Sequence, residues 1–180
     1  MKILLDYLII IIFFPFIFLI LFFVSILILF IDGAPIFFFQ KRVGKDNKIF
    51  NIIKFRTMKT QDDNFDYVDV SQDKKRITRL GYFLRSTSLD ELPEIINVIK
   101  REMSFVGPRP LLPEYLKIYN DIQINRHKVL PGITGLAQIN GRNNLEWEKR
   151  FEFDLIYVEN KSFYLDIKIL FITIYNLIVR

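Results

Sequence analysis

The chain opens on an apolar run and then changes character. From Tyr7 to Ile31, 25 residues pass without a charge, bounded by Asp6 and Asp32. At the α-helical rise such a run extends roughly 37 Å, more than the ~30 Å hydrocarbon core of a bilayer. A secretory signal has a shorter apolar region and a small-residue cleavage site, whereas this run ends in Ile31-Asp32-Gly33, so it reads as a retained membrane segment. Pro15 lies inside it. A proline in a helix interior removes one hydrogen bond and crowds the carbonyl four residues back, and lipid tolerates this where other groups re-satisfy the backbone. The run alone fits a straight or kinked span, or a segment that enters and leaves on one side.

Beyond Gly33-Ala34-Pro35 the pattern shortens to period two. The β-rich stretch Ile36 to Arg42, the turn residues Gly44 to Asn47 and the alternating Ile49 to Arg56 predict a β-hairpin. Asp62 to Asp73 lacks periodicity and predicts a loop. Ile77, Leu80, Phe83 and Leu84 fall at helical spacing and predict a short helix ending near Ser86-Thr87-Ser88. A second helix is expected from the Asp90-Pro93 region to about Arg101, and a third from Glu114 to Asn125. Gly107-Pro108-Arg109-Pro110 is a stiff loop, because the prolines fix φ on either side of the arginine. Glycine-marked loops follow from Pro131 to Asn143. Trp147, Phe151, Leu155 and Val158 form an apolar helical stripe. Phe163 to Val179 is apolar but carries Asp166 and Lys168, which suits a helix in the membrane interface or packed on the domain. The fold class expected is α+β and mainly helical: a membrane-embedded helix over 1–33, then a domain over 34–180 containing the hairpin and amphipathic helices.

Composition narrows the chemistry. The 180 residues support one domain, at most one plus an appendage, and there is no cysteine and one histidine. Disulfide frameworks, thiolate nucleophiles, cysteine-ligated metals, His-rich zinc sites and nucleophile–His triads are thereby excluded. The net charge is +5, with Lys41, Arg42, Lys45, Lys48, Lys54, Arg56 and Lys59 clustered after the apolar run. That cluster predicts a cytoplasmic domain under the positive-inside rule and also suits a solvated hairpin surface or an anionic lipid surface. Neither a Walker motif nor a Gly-x-Gly-x-x-Gly fingerprint is present, and no nucleic-acid partner is expected.

Three places could carry chemistry. Asp90-Glu91 follows Ser88 with capping-box spacing, although Pro93 favours a helix start nearer Asp90. Acidic residues there stabilise a helix dipole without further duty, and the same field favours an ionised carboxylate that could act as a nucleophile. Arg109 has a backbone pre-set by its flanking prolines and a planar fork of donors suited to phosphate; a surface salt bridge is the plain alternative. Asp154 lies at the edge of the apolar stripe, where a carboxylate needs an ion pair or a metal. Arg142, after Gly141, could reach an anion. His127, between Arg126 and Lys128, is expected at the surface.

In order along the chain stand Lys54-Phe55-Arg56-Thr57-Met58, Leu84-Arg85-Ser86-Thr87-Ser88-Leu89-Asp90-Glu91-Leu92-Pro93, Met103-Ser104-Phe105-Val106-Gly107-Pro108-Arg109-Pro110, Pro131-Gly132-Ile133-Thr134-Gly135 and Asn140-Gly141-Arg142-Asn143. Taken together they resemble the bacterial sugar transferases, the monotopic polyprenol-phosphate phosphoglycosyl transferases, over essentially the whole chain. The resemblance implies transfer of a sugar-1-phosphate from a UDP-sugar to a polyprenol phosphate such as undecaprenyl phosphate. Asp90 would be the nucleophile of a covalent phosphosugar intermediate, with UMP released. Glu91 would assist with Mg²⁺ or proton handling, Arg85, Arg109 and Arg142 would bind phosphate, and Asp90, Glu91 and Asp154 would be the metal ligands. It further implies a re-entrant helix at the bacterial inner membrane, broken at a proline, with the catalytic domain on the cytoplasmic face. Membrane lipid would be a partner, with a homo-oligomer or downstream glycosyltransferases as further ones. Here the sequence departs from the family pattern, for Pro15 follows Phe14 rather than a serine. The rival readings are a non-catalytic anchored module whose acidic pair merely caps a helix, and a soluble-type nucleotidyl enzyme tethered to the membrane.

Overall fold

The structure, a computed structural model, describes residues 2–59, 76–141 and 145–179. The expected loop at Asp62–Asp73 and the candidate Arg142 lie outside the described residues. In chain order the elements are helix α1 (Lys2–Ile31), strands β1 (Phe37–Val43) and β2 (Ile49–Phe55), helices α2 (Arg79–Thr87) and α3 (Ile95–Ile99), strand β3 (Ser104–Val106), strand β4 (Gly132–Thr134), and helices α4 (Leu136–Ile139), α5 (Trp147–Asn160) and α6 (Phe163–Ile178). Short 3-10 helices fill several of the joints. The chain is therefore mostly helical, with β1 and β2 forming the expected hairpin and β3 and β4 a parallel pair.

Helix α1 is long and apolar enough to cross a membrane, and Pro15 lies within it. It ends where Gly33 takes a positive φ of 76°, a left-handed position that costs a glycine little. Contacts divide the chain into two compact units: Met1–Ile11, Gln40–Ile52 and Glu94–Arg180 form one, Ile12–Phe39 and Ile53–Pro93 the other. The division inside α1 falls between Ile11 and Ile12. Ile11 is also the residue whose carbonyl Pro15 leaves without its usual helical donor.

In the second unit, Val24 and Ile28 of α1, Phe55 of β2 and Leu84 of α2 form the buried core, with Leu21, Ile36 and Leu80 packed against it. Positions 21, 24 and 28 share one face of α1, which explains why a helix apolar all round is buried along one stripe only. Gly81 lies against Thr57, where a Cβ would collide with the Thr57 carbonyl. Thr78 caps α2 by accepting from the Gly81 N–H at 2.8 Å, and its hydroxyl donates to Asp32 Oδ2 at 2.7 Å.

The first unit is built on Val106, Val129, Tyr157 and Ile169. The opening turns of α1 are held here by polar groups. Asp6 accepts from Ser104 Oγ at 2.8 Å and from the Phe105 N–H at 3.2 Å, while Lys2 pairs with Asp166 at 2.9 Å. Tyr157 donates to the same Asp166 at 2.6 Å. The acidic charge on α6 is thus turned inside the unit, while Lys168, Phe171, Ile174, Tyr175 and Ile178 stay exposed.

Several expectations are corrected. No helix runs from Glu114 to Asn125; two 3-10 helices, Pro113–Lys117 and Gln123–Lys128, stand there instead. Asn120 Oδ1 accepts from the N–H groups of Ile122 and Gln123 at 3.0 and 2.8 Å, and this side-chain competition for the backbone ends the first and starts the second. The buried stripe of α5 is Phe151, Asp154 and Tyr157, so Trp147 remains 44% exposed. Three of the seven residues of the basic cluster turn inward: Arg56 is buried, Lys54 and Arg42 are partly so, and Lys41, Lys45, Lys48 and Lys59 face outward. His127, expected at the surface, is buried.

Candidate active site

The Asp90-Glu91 pair belongs to the second unit. It does not begin an α-helix. Ser88 closes α2 in a left-handed conformation, and Leu89–Glu94 follows as a six-residue 3-10 helix with Pro93 inside. Ser88 serves through its carbonyl, which accepts from the Glu91 N–H at 3.3 Å. The capping-box reading therefore fails, since the proline disfavours an α-turn here and the αL residue redirects the chain before it. An extended helix dipole is not what acts on Asp90.

Discrete charges act on it instead. Lys54, near the end of β2, donates to Glu91 Oε1 at 2.6 Å, and both side chains are mostly buried. Arg85, exposed on the last turn of α2, is steadied by its Nε–H donating to Thr57 Oγ1 at 2.8 Å. Burial pushes the Asp90 carboxyl above its usual range and the Glu91 charge adds to this, while Lys54 and Arg85 pull it back. The pair is a carboxylate whose ionisation depends on named cations. Lys54 and Thr57 were not singled out from the sequence as site residues. The signal that would have found them is the polar interruption of the alternating β2 pattern at Lys54, three residues before Thr57.

Arg109, Asp154 and their surroundings belong to the first unit. Arg109 is exposed between two buried prolines, as the rigid-loop reading expects. The loop is pinned carbonyl by carbonyl. Pro108 O accepts from the Gly132 N–H at 3.0 Å, Arg109 O from Arg126 Nη2 at 2.8 Å, Pro110 O from Arg42 Nη1 at 3.2 Å and Leu111 O from the Val43 N–H at 2.9 Å. Asp154 Oδ2 accepts from Arg126 Nε and Nη2 at 3.0 and 2.6 Å, with both side chains buried. Asp154 is thus ion-paired. Burial pushes its carboxyl up and Arg126 opposes that. Among the described residues no group of three or more His, Cys, Asp or Glu side chains is placed to hold a metal. Asp90 and Glu91 are two hard oxygen donors, the number Mg²⁺ takes from protein when phosphates complete its shell.

The second unit thus joins part of a helix long and apolar enough to cross a membrane to a carboxylate pair set among cations. Comparison with known proteins takes the assignment further. The profile of the family described as bacterial sugar transferase matches residues 1–180, so the chain belongs to that family. It is 50% identical over 147 residues to a protein of Bacillus subtilis (strain 168) named uncharacterized sugar transferase EpsL, covering 82% of this chain and 72% of that protein. It is 44% and 45% identical over 151 residues to proteins of Klebsiella pneumoniae and Escherichia coli (strain K12), each named UDP-glucose:undecaprenyl-phosphate glucose-1-phosphate transferase. Those matches cover 79% of this chain and 32% of either relative, so the chain spans about a third of their length.

Proposed function

We propose that this protein transfers a sugar-1-phosphate from a UDP-sugar to a polyprenol phosphate, taken as undecaprenyl phosphate from the names of its relatives. The observation that carries this reading is the half-buried Asp90-Glu91 pair with Lys54 on Glu91 at 2.6 Å and Arg85 beside it. An anionic nucleophile meeting an anionic donor needs such cations to reduce repulsion. Asp90 attacks the β-phosphorus of the donor; the new O–P bond forms as the bond to the α-phosphate breaks, and UMP leaves with the electron pair. A phosphate oxygen of the lipid then attacks the same phosphorus, giving the polyprenol-diphosphate sugar and returning the Asp90 carboxylate. Covalent catalysis divides one transfer into two steps. Lys54 keeps Glu91 oriented, Arg85 lies beside the carboxylates, and Arg109 offers its fork to the diphosphate. Mg²⁺, held by Asp90 and Glu91, would supply charge neutralisation at the diphosphate.

The helix α1 is read as re-entrant, at the inner membrane with both ends on the cytoplasmic face. Lys2 and Asp6 engage Ser104, Phe105 and Asp166, and Asp32 engages Thr78. These partners lie along a stretch of sequence with no second uncharged run of comparable length. The exposed apolar face of α6 suits a helix lying in the interface.

Purified protein with Mg²⁺, undecaprenyl phosphate and a panel of UDP-sugars that includes UDP-glucose tests the reaction. Continued UMP release that requires the lipid is expected, with no more than one equivalent per enzyme in its absence; silence with every donor overturns the reading, and lipid-independent turnover favours a tethered soluble-type enzyme. Since the chain lacks cysteine, Ile3→Cys reports topology without background. Labelling of that cysteine from outside the cell would reject the re-entrant reading.

A further inference from the structure

Arg126 is only 3% exposed and sits where three elements meet. Its Nη2 donates both to Arg109 O at 2.8 Å and to Asp154 Oδ2 at 2.6 Å, its Nε donates to Asp154 Oδ2 at 3.0 Å, and its Nη1 to Tyr119 Oη at 3.3 Å. The guanidinium also lies over the rings of Tyr119 and Phe151, 5.9 and 5.7 Å from their centroids. A buried ion pair need not stabilise a fold more than apolar residues of the same shape would, so its presence calls for an explanation in geometry. One stands next to it. Arg109 lies between two residues that have no N–H, and its carbonyl is turned inward while its side chain is exposed. The one backbone acceptor of this residue is held by the guanidinium that Asp154 orients from α5.

We infer that Arg126, oriented by Asp154, is a positioning residue that fixes the backbone of Arg109 so that the Arg109 guanidinium meets the donor diphosphate in one orientation. The inference rests on the phosphate-binding role proposed for Arg109 above. It gives Asp154 a part in the reaction through two arginines, as an orienting group rather than as a metal ligand. A lysine cannot reproduce it, because a point-charge ammonium lacks the planar fork that reaches a carboxylate and a carbonyl at once.

The test is Arg126→Lys, which retains a cation for Asp154, assayed by UMP release and by melting temperature. A rise of about 10-fold in the KM for UDP-sugar, with the KM for undecaprenyl phosphate changed by less than about twofold, is expected. The decisive arm repeats the change in an Arg109→Ala background, where Arg126→Lys should add less than about twofold because its target is already gone. Effects that multiply in that background, or a loss spread equally over both substrates, overturn the inference in favour of a merely structural ion pair. Should Arg126→Lys fail to melt cooperatively, Asp154→Asn is read in the same two backgrounds with the same outcomes. Wild-type UMP release and its reduction to a lower but still measurable rate in Arg109→Ala test the underlying function separately. If both hold while the coupling is absent, only the positioning role falls.

Discussion

Lys54 Nζ lies 2.6 Å from Glu91 Oε1, joining the end of a β-hairpin strand to a 3-10 helix 37 positions later in the chain. This contact ties the proposed nucleophile's neighbour to a rigid element, and it keeps a cation near Asp90 in a half-buried place where burial disfavours the carboxylate. Two consequences can be measured.

Removing Lys54 as Lys54→Met takes away a charge that lowers the Asp90 pKa, so that pKa rises further. Activity requires the ionised form, and the acid limb of the UMP-release profile therefore moves to higher pH. At neutral pH a loss of about 10-fold is expected, within the usual range for mis-tuned acid–base groups. Lys54→Arg should return the limb toward its original position. An unmoved limb in Lys54→Met would disconnect Lys54 from Asp90.

Asp90→Asn should abolish UMP release, a fall of about 10³-fold or more, as for other nucleophiles that act as part of a unit. Its melting temperature should be unchanged or slightly higher, because the amide escapes the desolvation that raises the native carboxyl. Retained activity removes Asp90 as nucleophile.

His127 gives a stability prediction. Burial, and secondarily the Arg126 charge, hold its pKa down to about 4, against an ordinary 6.5. Between those values the unfolded chain binds a proton that the folded chain refuses. The contribution is therefore complete above pH 6.5 and is lost as pH falls toward 4, by roughly 3 kcal/mol in all. Melting temperature followed from pH 7 to 4.5 should fall less steeply in His127→Gln than in the parent, and equal slopes would acquit the histidine.

Gly81→Ala should destabilise the protein by about 2 kcal/mol, the usual cost of forcing backbone apart in a packed core. The added Cβ meets the Thr57 carbonyl, which is backbone and cannot swing aside. Because Thr57 Oγ1 also holds Arg85, activity measured well below the melting temperature should fall too. Thermal denaturation paired with UMP release checks both effects.

The hairpin, α2 and the stiffness of the Arg109 loop were legible because each depends on local pattern: period two, period 3.6, and fixed φ at two prolines. The misses depend on partners distant in sequence. Nothing near His127 foretells that Tyr119 and Gly44 will enclose it, and the polar flanks Arg126 and Lys128 pointed the other way. Arg126 itself carries no local signal that sets it apart from the chain's other cations. Its burial follows from Asp154, 28 positions on, whose own expense in an apolar stripe was the clue. The Asp90 region was misread as an α-helical N-terminus because capping-box spacing and a proline are compatible with both an α-turn and a 3-10 turn. Only the left-handed Ser88 decides between them.

One contact at the end of α1 bears on bilayer thickness. Arg56 donates to the first two carbonyls beyond the helix, Asp32 O at 2.7 Å and Gly33 O at 2.5 Å. Lys54 is two residues earlier on the same stretch, about 7 Å away along an extended chain. The dyad's cation is therefore carried at a short, fixed distance from the point where the apolar helix gives out. In a membrane thicker or thinner than the helix requires, the protein could not raise or lower its carboxylates independently, and the lipid would have to deform around it. Acyl-chain length, at constant headgroup, then becomes a variable that sets how closely a lipid phosphate can approach the dyad.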